Sequence, residues 1–349
     1  SNIEQRGIQT GFGFLDGTAG FAINEAPIEF NETYTHGRVF LVGLLNTLII
    51  GFVGIIFATL LGLLVGILRL SNNWLVRKIA KAYIDIFRNI PPLLQILFWY
   101  NVVLNSLPHP RASIELLDSI FINNRGLYIP QFSWNTTTYA ILASIIFTII
   151  GIYLLNKWSN KRQEKTGEIF PVAPVGIIAI IVVPFLAYFI GGANLGLQYP
   201  ELKGFNFQGG KVITPEFLAL TFALVIYTAT FIAEAVRSGI EAVGKGQKEA
   251  ASSLGLSPYQ SLKLVVLPQA VRISIPPIIN QYLNLVKNSS LAAAIGYPEI
   301  VTVFAGTSLN QVGQAIEIIA MTMAVYLTIS LVVSAILNWF NQKMKIQER

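Results

Sequence analysis

Four stretches of this chain, 43–68, 127–156, 170–200 and 318–342, carry no charged side chain, and nothing else in the sequence limits the fold so tightly. A helix crosses a bilayer with ~20 mainly apolar residues, and each stretch is longer than that. Segment 89–110 is similar but richer in proline, 217–233 is shorter, and 276–295 is interrupted by Lys287. By this length criterion roughly seven spans are expected. Hydrophobic residues make up 53% of the chain and charged residues 12%, about half the charged share of a soluble domain. The expected class is an all-α integral membrane protein.

Basic residues orient the spans, because cytoplasmic loops collect Lys and Arg close to the membrane. Arg69, Arg77, Lys78, Lys81 and Arg88 follow the first span, and Lys157, Lys161, Arg162 and Lys165 follow the third. Arg237, Lys245, Lys248, Lys263 and Arg272 surround a polar loop, and Lys343, Lys345 and Arg349 close the chain. The alternate loops hold Glu115, Asp118, Glu201 and Glu299. The polar loop and the C-terminus are therefore expected inside, and Ser1 outside. That placement predicts a further span ahead of Ser1, with a cleaved or exported terminus as the alternative. The net charge of +6 follows from the same bias and needs no nucleic acid partner. There is no cysteine, which excludes disulfides and thiolate metal sites. His36 and His109 are too few and too far apart for a zinc cluster.

Four sections are expected. Residues 1–36, with Phe12, Phe14 and Phe21, form an extracytoplasmic segment on the outer membrane surface. Residues 37–105 supply two spans and a basic turn, and 106–216 form an insertion with two further spans and polar loops. Residues 217–349 hold three spans and the polar loop between the first two. In the first span, Gly62 and Gly66 lie four apart, a spacing that lets another helix approach closely; a partner within the chain is expected.

The polar loop reads as an elbow of two short helices. Residues 247–254 favour helix, and Gly255 is placed to take the left-handed conformation that ends one. Ser257-Pro258 then reads as an N-cap with proline at the first helical position, opening a helix to Leu267 that Pro268 ends or kinks. Ala250 and Ala251 present a small surface, and Glu249 offers a carboxylate to basic groups or amides of a partner. One near-motif is set aside. Gly239, Gly244 and Lys245 nearly spell a nucleotide-binding loop, but Gly246 stands where a hydroxyl must hold magnesium, and a span precedes it instead of a strand. No ATP site is expected on this chain.

Glu249-Ala250-Ala251, a glycine four residues on at Gly255, and Val266-Leu267-Pro268 resemble the signature of permease subunits of ATP-binding-cassette importers. Leu44-Leu45-Asn46-Thr47-Leu48, Arg88-Asn89-Ile90-Pro91-Pro92-Leu93-Leu94-Gln95 and Ala233-Glu234-Ala235-Val236-Arg237-Ser238-Gly239 are similar to polar amino-acid importers of the histidine/glutamine/arginine type. So are Leu267-Pro268-Gln269-Ala270 and Leu285-Val286-Lys287-Asn288-Ser289-Ser290-Leu291. Residues 106–216 depart from the short form of that family and resemble the longer permeases of general L-amino-acid uptake systems. Asn89-Ile90 stands where the family often has Gly-Thr, and Asn288 where it often has aspartate, which removes an acid suited to cationic substrates.

The resemblance implies the fold of a type I importer permease, multi-pass in the inner membrane of a bacterium. Gln247, Lys248, Glu249, Ala250, Ala251, Leu254, Gly255 and Leu256 would then form the surface that couples to an ATPase subunit. A second homologous permease and an extracytoplasmic amino-acid-binding protein complete the implied assembly, with ATP and magnesium held by the ATPase and no cofactor on this chain.

Polar groups inside a bilayer are costly, ~2.5–3.5 kcal/mol for a charge at mid-helix, so the few present are functional candidates. Gln95, Glu234, Lys287, Asn288, Ser289 and Ser290 are candidate substrate contacts, with Glu234 as acceptor for an ammonium group and Lys287, Asn288 or Ser290 as donors for a carboxylate. Each also has a plain structural role open to it. Glu234 and Arg237 are spaced to pair along one helix face, and Lys287 to snorkel toward the interface. Asp85 and Arg88 are expected to form a structural ion pair on the inner side. A secondary transporter or channel, with Glu234 as its coupling site, is the rival reading.

Overall fold

Proline and polar caps decide where the apolar stretches become helices. The computed structural model describes residues 11–168 and 170–344, with side chains as far as Trp339. Ser1, Lys345, Arg349 and the Lys343 side chain lie outside the described residues. Thr35 opens α1 (His36–Arg69), its hydroxyl accepting from Arg38 N. Asn73 caps α2 (Trp74–Asn89), with Oδ1 accepting from Leu75 N and Val76 N at 2.9 and 3.3 Å. Pro91-Pro92 then interrupts the run, since proline disfavours helix in the residue before it. Ile90 is extended, and α3 (Pro92–Ser106) starts afresh.

Six helical runs among the described residues are long and apolar enough to cross a membrane, namely α1, 136–166, 172–190, 215–241, 258–294 and 315–339. The seventh expected span, 89–110, resolves into α3, whose 15 residues reach about 22 Å against a hydrocarbon core of ~30 Å.

The chain divides into two compact units, one comprising the residues up to Ser106 and those from Thr214 onward, the other Leu107–Ile213. The second unit contains strands where only polar loops were expected. β1 (Ile114–Leu116), β2 (Ile120–Asn123), β3 (Gly126–Ile129) and a late strand, β8 (Lys211–Ile213), form one antiparallel sheet in the order β1-β2-β3-β8. Its register sets Phe121 opposite Tyr128 and Tyr128 opposite Val212. β4 (Gln131–Phe132) pairs with β5 (Leu197–Gln198), and β6 (Glu201–Lys203) with β7 (Asn206–Gln208). Tyr128 is buried, stacks at 4.8 Å on Phe207 and donates to Asn206 Oδ1 at 2.9 Å. The span expected from 127 therefore begins later, as α4 (Thr136–Thr166), capped by Asn135. It returns through α5 (Val172–Ile190).

In the first unit the central element is α6 (Pro215–Glu241), capped by Thr214 with Pro215 at its first position. Its alanines, among them Ala219, Ala223, Ala229 and Ala233, are buried, and α1, α2, α3 and the later α9 (Leu267–Asn288) pack around it. Gly62 of α1 faces Ile232, where an added Cβ would lie 2.6 Å from the isoleucine side chain; Gly66 faces the Ala233 carbonyl and Val236 at 3.0 Å. Small residues let the two backbones touch, inside the chain as expected.

The described part of the N-terminal segment packs against the rest of the first unit. Phe14 and Ala19 are buried with Val39, Phe304 and Ile318. Thr18 bridges to Thr35, and Asn46 Nδ2 of α1 donates to Glu25 O at 2.8 Å and Pro298 O at 2.9 Å. Glu299, expected in an outer loop, is fully buried. Its carboxylate accepts from Val301 N, Thr302 N, Thr302 Oγ1 and Tyr326 OH at 2.8–3.1 Å. Four donors make burial of the group tolerable and start the helical turn at 301–308.

Candidate functional site

The polar loop folds as a capped elbow. Helix α7 (Lys245–Ser253) ends where Leu256 N donates to Ala251 O at 3.1 Å and Gly255 N to Ser252 O at 2.9 Å. Gly255 has φ +75°. This pair of bonds around a left-handed residue satisfies the last carbonyls of the helix. Ser257 opens α8 (Pro258–Ser261) with a reciprocal capping box to Gln260. Gln247, Lys248, Glu249 and Ala250 are exposed, and Leu254 projects at 80% exposure. Ala251 is 3% exposed, so it belongs to the inner side of the elbow; the small outward surface is that of Ala250 alone. Leu256 is half-buried.

Pro268 does not end the following helix. Residues Leu262–Val266 form a π turn, and α9 (Leu267–Asn288) continues from it with Pro268 in its first turn. The wide turn accommodates the proline ring, and Gln269 Nε2 donates to Val265 O at 3.0 Å, occupying a carbonyl near the break.

The candidate substrate residues fall into separate places. Gln95 is buried at the α2–α3 break, its amide donating to Phe87 O at 2.8 Å and Ile90 O at 3.0 Å. It thus binds carbonyls freed by Pro91-Pro92, while its Oε1 has no partner. Glu234 is held by Arg237, which also pairs with Glu241, and Arg69 and Arg88 act on it electrostatically. Asp85 and Arg88 are both exposed and form no ion pair with each other among the described residues. An exposed pair gains little against the entropy of two side chains, and Asn89 Nδ2 instead takes the Asp85 carbonyl.

Lys287, Asn288, Ser289 and Ser290 lie together where α9 tightens into a 3-10 turn, Ser289–Ala294. Their depth can be read from α1. Gly51 and Gly54, halfway along that helix, face Val286 and Leu285, so the neighbouring Lys287 stands at mid-span. Ser289 and Ser290 donate to Val286 O and Lys287 O, each at 2.7 Å. Glu234 is elsewhere. Its neighbour Ala235 accepts from Ser274, thirteen residues before Lys287 on α9, or ~20 Å along the axis.

Sequence reasoning missed the rest of this face. Asn280, Asn284 and Lys287 are all exposed on α9, with Gln281 beside them and 3.5 Å from the Asn284 amide. Spacings of four and three put them on one stripe. The signal was present in the sequence as polar residues at helical intervals within an otherwise apolar span.

A family model described as "Binding-protein-dependent transport system inner membrane component" matches residues 54–346. A putative amino-acid ABC transporter permease of Escherichia coli, YhdX, is 51% identical over all of this chain and 89% of its own length. The general L-amino acid transport system permease AapQ of Rhizobium johnstonii is 48% identical, again over all of this chain and 87% of its own. A solved structure titled "Crystal structure of an amino acid ABC transporter with histidines" aligns at TM-score 0.52 and 19% identity, over 88% of this chain and 95% of that one, a likeness of fold.

Proposed function

The chain belongs to the family of inner-membrane components of binding-protein-dependent transport systems, and from that premise we propose that it is the permease subunit that carries amino acids into the cell. The capped elbow supports the reading best. It is a polar, exposed double helix between two spans, terminated by a left-handed glycine and a reciprocal capping box, and such rigidity suits a surface that receives force. Gln247, Lys248, Glu249, Ala250 and Leu254 meet an ATPase subunit, with Ala251, Gly255 and Leu256 shaping the helix behind them. ATP and magnesium belong to that partner, and this chain holds no cofactor.

A second homologous permease covers the polar stripe of α9. A charge at mid-span faces a bundle interior or water, because lipid penalises it. Lys287 and Asn288, with Asn280 and Asn284, therefore line the route between the two permeases and bind the substrate carboxylate. Ser289, Ser290 and Gln95 hold the backbone of that wall. An extracytoplasmic binding protein delivers the amino acid, and nucleotide binding shifts the inward- and outward-facing populations. Glu234, bound to Arg237 and surrounded by arginines, is a poor coupling carboxylate for a secondary transporter.

Gly255→Val tests the reading. An added Cβ meets nothing within 4 Å, but the residue sits at φ +75°, where β-branched residues are strained. Uptake by the reconstituted complex should fall at least about tenfold, the size of a 1.4 kcal/mol coupling loss, with membrane insertion intact. Unchanged uptake would make the elbow a passive connector.

A further inference from the structure

The hairpin of α4 and α5 contains a site that the transport reading does not use. A cleft of about 690 Å³ opens between the two helices. At one end it is lined by Asn156, Asn160 and Gln163; at the other by Ile152, Ile177 and Ile180. Ser159 also lines it and is only 4% exposed. None of these four polar side chains has a hydrogen-bond partner among the described residues. The polar end lies beside Lys157, Lys161, Arg162 and Lys165, the cluster that marks the inner side of the membrane. Trp158 packs edge-on against Phe170 at 5.6 Å on the same level, as aromatic rings do at the headgroup boundary.

We infer that this cleft binds an anionic phospholipid of the inner leaflet, its phosphate at the polar end and an acyl chain along the isoleucines. Three observations select this occupant. The first is the gradient, because a ligand here must be polar toward the inner surface and apolar toward mid-membrane. The second is the donor set, three exposed amides and the buried Ser159 hydroxyl, from all of which phosphate and ester oxygens accept. The third is charge. Four cations stand against Glu164 and Glu168, and Glu168 is already bound by Arg162 at 2.5 Å, which leaves a positive surplus to attract an anionic headgroup. Gly176 lines the cleft, and an added Cβ there would already meet Ile152 at 3.4 Å, so a larger side chain intrudes on it.

The full chain, purified with its partner subunits in mild detergent, is offered phosphatidylglycerol and phosphatidylcholine at equal concentration and weighed by native mass spectrometry. Phosphatidylglycerol should be retained about fivefold better, the ratio that one basic residue supplies at a membrane surface. Gly176→Leu and the double change Asn160→Leu with Gln163→Leu should each abolish that preference at an unchanged unfolding temperature. Equal retention of the two lipids, or preference undiminished in both variants, overturns the site, and so does displacement by free inorganic phosphate. Should the variants fail to fold, the wild-type chain decides. A photoactivatable phosphatidylglycerol should mark peptides spanning 152–163 and 172–180, and adducts confined to other helices overturn the assignment.

Discussion

Helices α4 and α6 are both long enough to cross the membrane, and α4 is the more apolar, yet 61% of the spanning window of α6 is buried within the chain and only 6% of that of α4. Hydrophobicity thus fails to rank burial here, because lipid accepts an apolar side chain as readily as protein does. Side-chain size separates them. Helix α6 presents Ala219, Ala223, Ala229, Ala233 and Gly239, and neighbours approach its backbone closely; an added Cβ at Gly239 would collide with Ser274. Helix α4 presents Ile146, Phe147, Tyr153 and Leu154, all exposed, a surface that lipid tails wet. In a bilayer, burial follows from packing of small residues, and a glycine means different things in the two places.

One substitution made twice gives the largest contrast. Gly62→Leu drives a side chain into Ile232, where even Cβ is 2.6 Å away. Overpacking of this kind costs ~1–3 kcal/mol or more, so the yield of monodisperse chain from detergent should fall several-fold. At Gly176 an added Cβ starts from an ordinary contact with Ile152, 3.4 Å, so Gly176→Leu should cost much less of that yield. Equal losses would mean that the hairpin is packed as tightly as the core. Leu254→Asp comes next. It removes the projecting apolar tip of the elbow and should weaken capture of the ATPase subunit about tenfold, since a leucine buried at an interface contributes ~1.5–3 kcal/mol; chain yield should not change. Lys287→Leu should lower uptake about tenfold, as loss of a charge-assisted bond of ~1.5–3 kcal/mol implies, with ATPase capture preserved. Retained uptake would place Lys287 outside the route. The smallest effect belongs to the second unit. Leu117 sits exposed at the β1–β2 tip with φ +54°, where asparagine is tolerated better. Leu117→Asn should raise the unfolding midpoint, by ~1 kcal/mol in stability, without touching uptake.

The elbow was legible because its signals are local. Gly255 and Ser257-Pro258 act through their own backbone dihedrals and caps, and neighbouring residues in sequence supply every bond involved. The Gly62–Gly66 face was legible for a similar reason, as spacing alone defines it. What escaped depends on distant partners. Strand β3 pairs with β8, at 211–213, across the α4–α5 hairpin, and nothing near Ile129 announces Lys211. Glu299 read as a loop acid because its donors include Tyr326, 27 residues away. Phe14 read as a surface aromatic because Phe304, its neighbour at 6.2 Å, is nearly the length of the chain away. At Pro268 an end or a kink was expected, and the helix runs on. Proline usually ends a helix, and the π turn that absorbs it at 262–266 has no mark in the sequence.

That absorbed proline has a mechanical consequence. Because the helix does not stop at Pro268, one uninterrupted helical run extends from Pro258 to Ala294, 37 residues, or about 55 Å at 1.5 Å each. The elbow grips one end of this shaft, and Lys287 and Asn288 ride near the other. A turn imposed at Pro258 is therefore carried along one backbone toward the Asn280–Lys287 stripe. Two weak points divide the slack of the shaft, the π turn at 262–266 beside the grip and Pro276-Pro277 just ahead of the stripe.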